Sequence, residues 1–389
     1  MQAWFAQALI GKRGAWILGG AGLLALAASA TLGPADAGAA AAQDWPPFVL
    51  VSGLLLIGLV SQEDGLFAAG GHLLARRAGS GVALYAGAVL MIAVVTALLN
   101  LDTSVAFLTP VLVYAARSRG EGEAPLLYGS ILLANAGSLV LPGSNLTNLI
   151  VLGHVHMSGG AFFRRMAPAD AVAVLVTAGV IAARHHAQLH TQMTAPRVPA
   201  GEARFGVGLL AVLAATVLVV VLRNAALPVA AVGILAVTAR LGLSREALTR
   251  AREVLGAPVL VGLFGIAVAL GTLGRAWTGP AMLLSHLDSW ATAALAAGAT
   301  VLVNNLPAAS LLSARALPHP FALLVGLNVG PNLFVSGSLA WVLWWRSAQT
   351  ARAQPSLRAA TGLGLLSAPL ALTSAMAVLT VLGGGTPVH

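Results

Sequence analysis

Charge is scarce in this 389-residue chain: only 8% of its residues are Asp, Glu, Lys or Arg. A soluble domain carries about 25%, so twelve acids and 21 basic residues cannot cover a water-facing surface of this size. A bilayer can, because lipid accepts apolar side chains wherever helices do not touch one another. Cysteine is absent, which excludes disulfides, thiolate metal sites and a cysteine nucleophile. What the chain has instead is apolar residues, 58% of the total, with a mean hydropathy of +0.88. The length would allow about two or three soluble domains, but the composition argues for one continuous membrane domain over residues 1–389.

A net charge of +9 does not point to nucleic acid, because the basic residues sit in short loops between apolar runs, where positive-inside topology puts them. The N-terminus carries Lys12 and Arg13 before an apolar stretch, as a secretory signal does. Further apolar spans follow, so this segment reads as a retained first span with its N-terminus cytoplasmic, in the inner (plasma) membrane of the cell.

Apolar runs long enough to span, roughly 17–25 residues, lie near 15–33, 46–62, 125–157, 166–183, 205–222, 226–240, 257–273, 320–345 and 360–383. Two more stretches, 81–116 and 289–318, are apolar but interrupted at "LLNLDTS" and "LVNNLPAAS". The spans 125–157 and 320–345 are interrupted too, at "LPGSNLTN" and "LNVGPNLFVSGS". Irregular backbone at bilayer depth is tolerated only against protein or a wet cavity, and paired breaks in two halves point to a transporter's binding site.

The halves match in order, repeat one over about 46–183 and repeat two over about 257–383, offset by roughly 195–210 residues. The loop 184–204 joins them and carries His185, His186 and His190. With no carboxylate nearby and no fixed helical spacing, it reads as a solvated linker, not a metal site. Taking the two interrupted stretches as re-entrant hairpins makes the halves antiparallel and places most of the basic residues on the cytoplasmic side. The expected fold is an all-α polytopic membrane protein of two inverted-topology repeats with broken helices and re-entrant hairpins, about 9–11 transmembrane segments.

Four clusters could carry transport. In "LLNLDTSVAFLTP", Asp102 is an acid deep in an apolar stretch, so it should face a cavity or take up a proton. Asn100 and Thr103 beside it are candidate substrate ligands, and equally candidate caps of a helix start. In "ANAGSLVLPGSNLTNLI", Pro142 and Gly143 stop one half-helix, and Ser144, Asn145, Thr147 and Asn148 begin the next. The latter are good caps, and a half-helix N-terminus inside the membrane also binds polar ligands. Asn304 and Asn305, with Asn328, Asn332, Ser336 and Ser338, are the second-half counterparts. Asn145 and Asn332 are expected to lie together and line one cavity. Asp102 is read as the only acid near the breaks, with no Arg or Lys there. Such a site favours a small polar uncharged solute, or a cation held by carbonyls, over a dicarboxylate. Glu63 and Asp64, ending the second span, are either interfacial acids or part of a proton path. No residue is read as catalytic, and no metal or cofactor site is expected.

At these motifs the sequence resembles the arsenite-antimonite efflux permeases (arsenical pump membrane proteins) of the ion-transporter superfamily. The likeness is carried by "LLPxSNLTNL" at 140–149, "VNNLPA" at 303–308, "GxNxGPNLTxxGSLAxLLW" at 326–344, "LDTSVAFLTPV" and "EDGLF", and it covers about residues 45–350. It implies a secondary carrier that exchanges trivalent arsenic or antimony hydroxide for protons, sometimes assisted by a soluble arsenical-pump ATPase. Two departures are Phe334, where the family prefers Thr, and a single span ahead of "DWPPFVL", one fewer than the family's pattern. Alternatives are a sodium/proton antiporter of the same superfamily, which would want two or more buried carboxylates, and a carboxylate carrier. An intramembrane hydrolase pairing Ser144 with His154, or a non-transporting scaffold, leaves the two-fold repeat unexplained.

Overall fold

The computed structural model describes residues 12–190 and 206–382, apart from 154, 156 and 223. Most of the 184–204 linker, and His154, thus lie outside the described residues. Among the described residues every regular element is helical.

The chain opens with α1 (Lys12–Leu32) and α2 (Pro34–Glu63), followed by a short amphipathic α3 (Leu66–Arg77). Then come α4 (Gly81–Leu98), α5 (Leu101–Ser118), α6 (Ala124–Ala136), a 3-10 turn at Pro142–Ser144, α7 (Leu146–Leu152), α8 (Gly159–Arg184) and the one-turn α9 (His186–Leu189). The middle of the chain holds α10 (Val207–Val221), α11 (Ala226–Leu241), a basic amphipathic α12 (Arg245–Leu255), α13 (Ala257–Ala276) and α14 (Gly279–His286). The last part is α15 (Ser289–Val303), α16 (Asn305–Leu312), α17 (Pro320–Val329), a 3-10 turn at Gly330–Leu333, α18 (Ala340–Thr350) and α19 (Leu357–Val381).

Among the described residues six helical stretches are long and apolar enough to cross a membrane: Arg13–Leu32, Pro34–Glu63, Gly81–Leu98, Gly159–Arg184, Arg245–Ala276 and Leu357–Val381. Five shorter apolar segments, among them Ala124–Ala136 and Pro320–Leu333, are the pieces of interrupted runs and the pair α10–α11. The breaks fall where Pro and Gly sit in the sequence. The two interrupted stretches differ in size: α4 and α5 are 18 residues each, whereas α15 and α16 are 15 and 8.

One boundary differs from the sequence reading. The second span does not begin at Pro46; α2 starts at Pro34 and runs through Pro46 and Pro47. Proline favours a helix's first turn, so "DWPP" resembles a start, yet the helix continues and forfeits two backbone hydrogen bonds, those of the Ala42 and Gln43 carbonyls. The consequence is that Asp44 lies inside a membrane helix.

Packing relies on small residues, because lipid offers helices no hydrophobic reason to associate and close backbone approach must supply the contact. Gly22 on α1 meets Gly262 and Gly265 on α13, and a Cβ on any of these would overlap the facing backbone. Among the main interhelical contacts, α8 lies on α19, α5 on α18, α16 on α7, α4 on α6 and α15 on α17.

Candidate functional site

The two broken helices meet through their side-chain amides. The Asn145 Nδ2 donates to Asn328 Oδ1 at 2.7 Å, and the Ser138 hydroxyl donates to the same oxygen at 2.6 Å. Asn328 Nδ2 in turn donates to Asn148 Oδ1 at 3.0 Å and to the Leu324 carbonyl at 2.8 Å. A second bridge runs from Asn135 Nδ2 to Asn332 Oδ1 at 3.0 Å, with Asn332 Nδ2 donating to the Leu132 carbonyl at 2.9 Å and Ser338 Oγ to Asn135 Oδ1 at 3.3 Å. Asn135, Asn148, Asn328 and Asn332 have no solvent exposure. Asn145 therefore partners Asn328, and Asn332 partners Asn135; the two pairs are linked through Ser138, whose Oγ accepts from Asn145 Nδ2 at 3.2 Å and lies 2.8 Å from the Asn135 carbonyl. The reason is register: "Asn-x-Gly" occurs at Asn135 and again at Asn328, so each first-position Asn reaches across to the other half. These amide side chains bond one another and the Ser138 and Ser338 hydroxyls.

The remaining cluster members hold the breaks in shape. Asn148 Nδ2 donates to the Ser138 and Leu141 carbonyls at 2.8 and 3.0 Å, backbone acceptors that the break leaves without helical donors. Ser144 Oγ donates to the Leu141 carbonyl at 2.7 Å and accepts from Leu141 N at 2.8 Å. Asn304 Nδ2 donates to the Ser336 carbonyl at 3.0 Å, Ser336 Oγ donates to the Val301 carbonyl at 2.6 Å, and Asn305 N donates to the Gly337 carbonyl at 2.9 Å. The α15–α16 tip is thereby stitched to the second break. Gly364 on α19 leaves room for the Asn332 carbonyl, which a Cβ there would overlap.

Asn100 and Asn304 occupy matching tips, between α4 and α5 and between α15 and α16. Both have positive φ, 148° and 75°, a costly backbone for any residue but glycine that persists only where the surroundings over-determine it. Each caps the helix that follows: Asn100 Oδ1 accepts from Thr103 N at 2.7 Å and Asn304 Oδ1 from Leu306 N at 3.3 Å. Asn145 does the same for α7, accepting from Thr147 N at 3.2 Å. Hydrogen bonds thus tie Asn100 to Thr103, not to the amide network. Three buried hydroxyls at these helix starts, those of Thr103, Ser104 and Thr147, have no hydrogen-bond partner, so donor and acceptor capacity is left over there.

Asp102 is buried in the first turn of α5 and lines a cavity of about 30 Å³ with Val51, Leu55, Glu253, Leu339 and Arg346. A basic group therefore faces the same small space, which corrects the expectation that no Arg lies near the breaks. Arg165, on α8, likewise stacks 4.3 Å over the ring of Phe321 on α17. Nor is Asp102 alone among acids. Asp170 on α8 accepts from Leu139 N at 2.9 Å, holding an amide of the first break, and Asp44 on α2 is buried against Ser310 on α16. Both contacts join residues far apart in sequence, which is why local motifs did not reveal them. Asn135 and Ser138 were legible in principle through the shared "Asn-x-Gly".

Glu63 and Asp64 are committed to ion pairs at one end of α2. Asp64 Oδ1 lies 2.5 Å from Arg240 Nε, its Oδ2 accepts from Gly208 N at 2.8 Å, and Glu63 meets Arg250 at 2.7 Å. His185, past the end of α8, is held below the ordinary imidazole value by burial and then by the neighbouring Arg184 charge.

A helical, apolar chain whose broken helices meet through uncharged side chains at their gaps has the architecture of a polytopic membrane transporter. Residues 5–345 match the family described as "Citrate transporter" (CitMHS). The chain belongs to that family, within the ion transporter superfamily. It is similar to the arsenical pump membrane protein of Escherichia coli K12, at 25% identity over 337 residues covering 77% of this chain and 78% of that one. The protein of the same name from Yersinia enterocolitica is 23% identical over 334 residues, again 77% and 78% of the two chains. Among solved structures, the YdaH transporter of Alcanivorax borkumensis shares the fold, with a TM-score of 0.52 over 87% of this chain and 85% of that one, at 16% identity.

Proposed function

We propose that this chain is a secondary active transporter that exports trivalent arsenite or antimonite hydroxide in exchange for protons. The observation that carries the reading is the chemistry of the central network: Asn135, Asn145, Asn148, Asn328 and Asn332 bond only to amides, hydroxyls and backbone carbonyls. Arsenous acid is neutral near physiological pH and presents hydroxyl groups, which such donors and acceptors suit. Charged substrates would need a countercharge in so dry a setting. The solute would exchange its own hydrogen bonds for the Asn–Asn bonds that close the site, and Thr103, Ser104 and Thr147 supply capacity already unpaired.

In this reading residues 1–389 form one transport domain of two inverted repeats, about 46–183 and 257–383. The paired contacts α5–α18 with α16–α7, and α4–α6 with α15–α17, support it, since a two-fold axis in the membrane plane would generate one set from the other. The domain sits in the inner membrane with a cytoplasmic N-terminus, as the basic loops favour. Asp102 is the proton-coupling acid.

A carboxylate carrier is the second reading, favoured by the family's description and by Arg346 in the cavity that Asp102 lines. Uptake into everted vesicles separates the two. With a proton gradient imposed, labelled arsenite should accumulate while citrate and sodium do not. Gradient-driven citrate uptake without arsenite uptake would reverse the assignment.

A further inference from the structure

Asp44 sits in the middle of α2 and is 1% exposed. Both its oxygens lie 3.0 Å from Ser310 Oγ on α16. Ser310 has one hydroxyl proton and a second acceptor, the Leu306 carbonyl, at 3.3 Å. This geometry suits two protonation states. An ionised Asp44 accepts the Ser310 proton. A protonated Asp44 donates to Ser310 Oγ, and the hydroxyl turns its own proton to Leu306. Neither state leaves a buried donor unpaired, which is the condition for carrying a proton in a dry setting at low cost.

Among the described residues no basic group is within ion-pair distance of the carboxylate, although the Arg275 charge acts on it. Arg275 on α13 donates to Gln43 Oε1 at 2.6 Å and to the Gly271 carbonyl at 3.0 Å. Arg315, just past α16, donates to the carbonyls of Gly274 and Arg275. Asp36 lies two turns earlier on α2, and α7, α10 and α16 carry no charged residue. The elements packed nearer the Glu63 end bring His72, Asp102, Arg240, Glu246 and Arg250.

The neighbours of Asp44 on α2 border a cavity that Asp44 itself does not line. This cavity of about 640 Å³ is lined by Gln43, Pro46, Pro47, Arg275 and, from the first break, Pro142 and Leu149. Gln43, the neighbour of Asp44, also spans the two halves, donating to the Ile150 carbonyl at 2.9 Å and to Ser313 Oγ at 3.2 Å.

We propose that Asp44, with Ser310 as its switching partner, is a proton-binding site of the transport cycle, loaded from this cavity and separate from Asp102. Loading forms an O–H bond on an Asp44 oxygen with a proton from cavity water, and unloading returns it to water. Because Ser310 belongs to α16, the hydrogen bond between α2 and α16 is kept in both states while its donor changes and the carboxylate charge is lost.

The site is proposed for the proton-exchange reading above, and its test does not need the solute. Full-length protein in liposomes is titrated with pH and followed by infrared difference spectroscopy. The wild type should show a protonated-carboxyl stretching band that titrates, absent in Asp44→Asn and shifted in frequency in Ser310→Ala. In everted vesicles Asp44→Asn should lose about tenfold or more of pH-driven arsenite accumulation. An Asp44→Asn titration that superimposes on wild type overturns the proposal, as does a band that answers to sodium at fixed pH and not to protons. If Asp44→Asn does not fold, an unchanged band in Ser310→Ala overturns it instead. A wild type that shows the Asp44 band but no pH-driven arsenite accumulation keeps the proton site and removes the arsenite reading.

Discussion

Asn145 and Asn328 are joined by a 2.7 Å hydrogen bond that crosses from the first broken helix to the second, between residues 183 apart in sequence. All four hydrogen-bonding positions of the Asn328 amide are filled, by Asn145, Ser138, Asn148 and Leu324. A side chain so fully used holds the halves in one arrangement, and the same bonds must be exchanged if a solute is to sit between them.

Asn328→Ala should therefore do two things. It leaves Asn148 Oδ1 without its donor and removes the shorter acceptor of the Asn145 amide and the Ser138 hydroxyl, which keep only Ser138 Oγ at 3.2 Å and the Asn135 carbonyl at 2.8 Å, and a buried group left unsatisfied costs about 1–3 kcal/mol. Thermal unfolding in detergent should drop by several degrees, and vesicle flux should be lost. Asn100→Ala, which removes a local cap and no bond of the network, should lower stability by about 1 kcal/mol. Flux that survives Asn328→Ala would make the network a structural clamp.

The Gly364–Asn332 contact predicts a steric effect. A Cβ at Gly364 would overlap the Asn332 carbonyl, and both sides of this contact are backbone, which cannot swing away as a side chain does. Gly364→Val should displace the Gly330–Leu333 turn and weaken the Asn135–Asn332 bond. Flux should fall at least as far as in Asn332→Ala. Gly362→Val, where a Cβ meets nothing within 4 Å, should transport normally in the same assay.

The class of fold and most of the site were legible because breakers in apolar runs are local signals. "LPGSNLTN" and "GPN" announce where helices must stop, and the caps Asn100, Asn145 and Asn304 stand where Ser and Asn beside a break would be placed. The pairings between the two broken helices were not legible. Asn145 could face Asn328 or Asn332 with equal plausibility, since register between two separate helices is set by packing and not by either motif. Asp44 stayed hidden for another reason: Pro46 and Pro47, two and three residues on, imitate a helix start and leave Asp44 ahead of the span. Asp170 stayed hidden because its partner, the Leu139 amide, is a backbone group with no mark in the sequence.

The ion pairs at the end of α2 predict stability effects without transport effects. Asp64 is 4% exposed and holds both Arg240 and the Gly208 amide, with the Arg240 side chain about one-third exposed. Solvent at that arginine screens the pair, so Asp64→Asn should cost about 1–2 kcal/mol, below the 3–5 kcal/mol of a fully buried pair that loses one partner. Added salt should narrow the difference from wild type. A loss of proton coupling in Asp64→Asn with unchanged melting would instead move this acid into the proton path.

The last prediction concerns Asp102. It sits at the start of α5, beside the positive end of the helix, in a small cavity that Arg346 and Glu253 also line. An ionised Asp102 would be stabilised by the helix start, and Arg346 and Glu253 are the charged residues that share its cavity. Asp102→Asn imitates the protonated state permanently and should reduce pH-driven arsenite accumulation by about tenfold or more, while solute still equilibrates down its own gradient. Arg346→Gln removes the countercharge, so proton uptake at Asp102 should become easier. Proton release should become harder, and the pH at which flux is half-maximal should rise. The measurement is flux against imposed pH in vesicles for wild type, each single variant and the double variant. If the two residues act through one another, Asp102→Asn should abolish the effect of Arg346→Gln. Additive losses in the double variant would mean that Arg346 acts elsewhere, and that Asp102 does not depend on it for coupling.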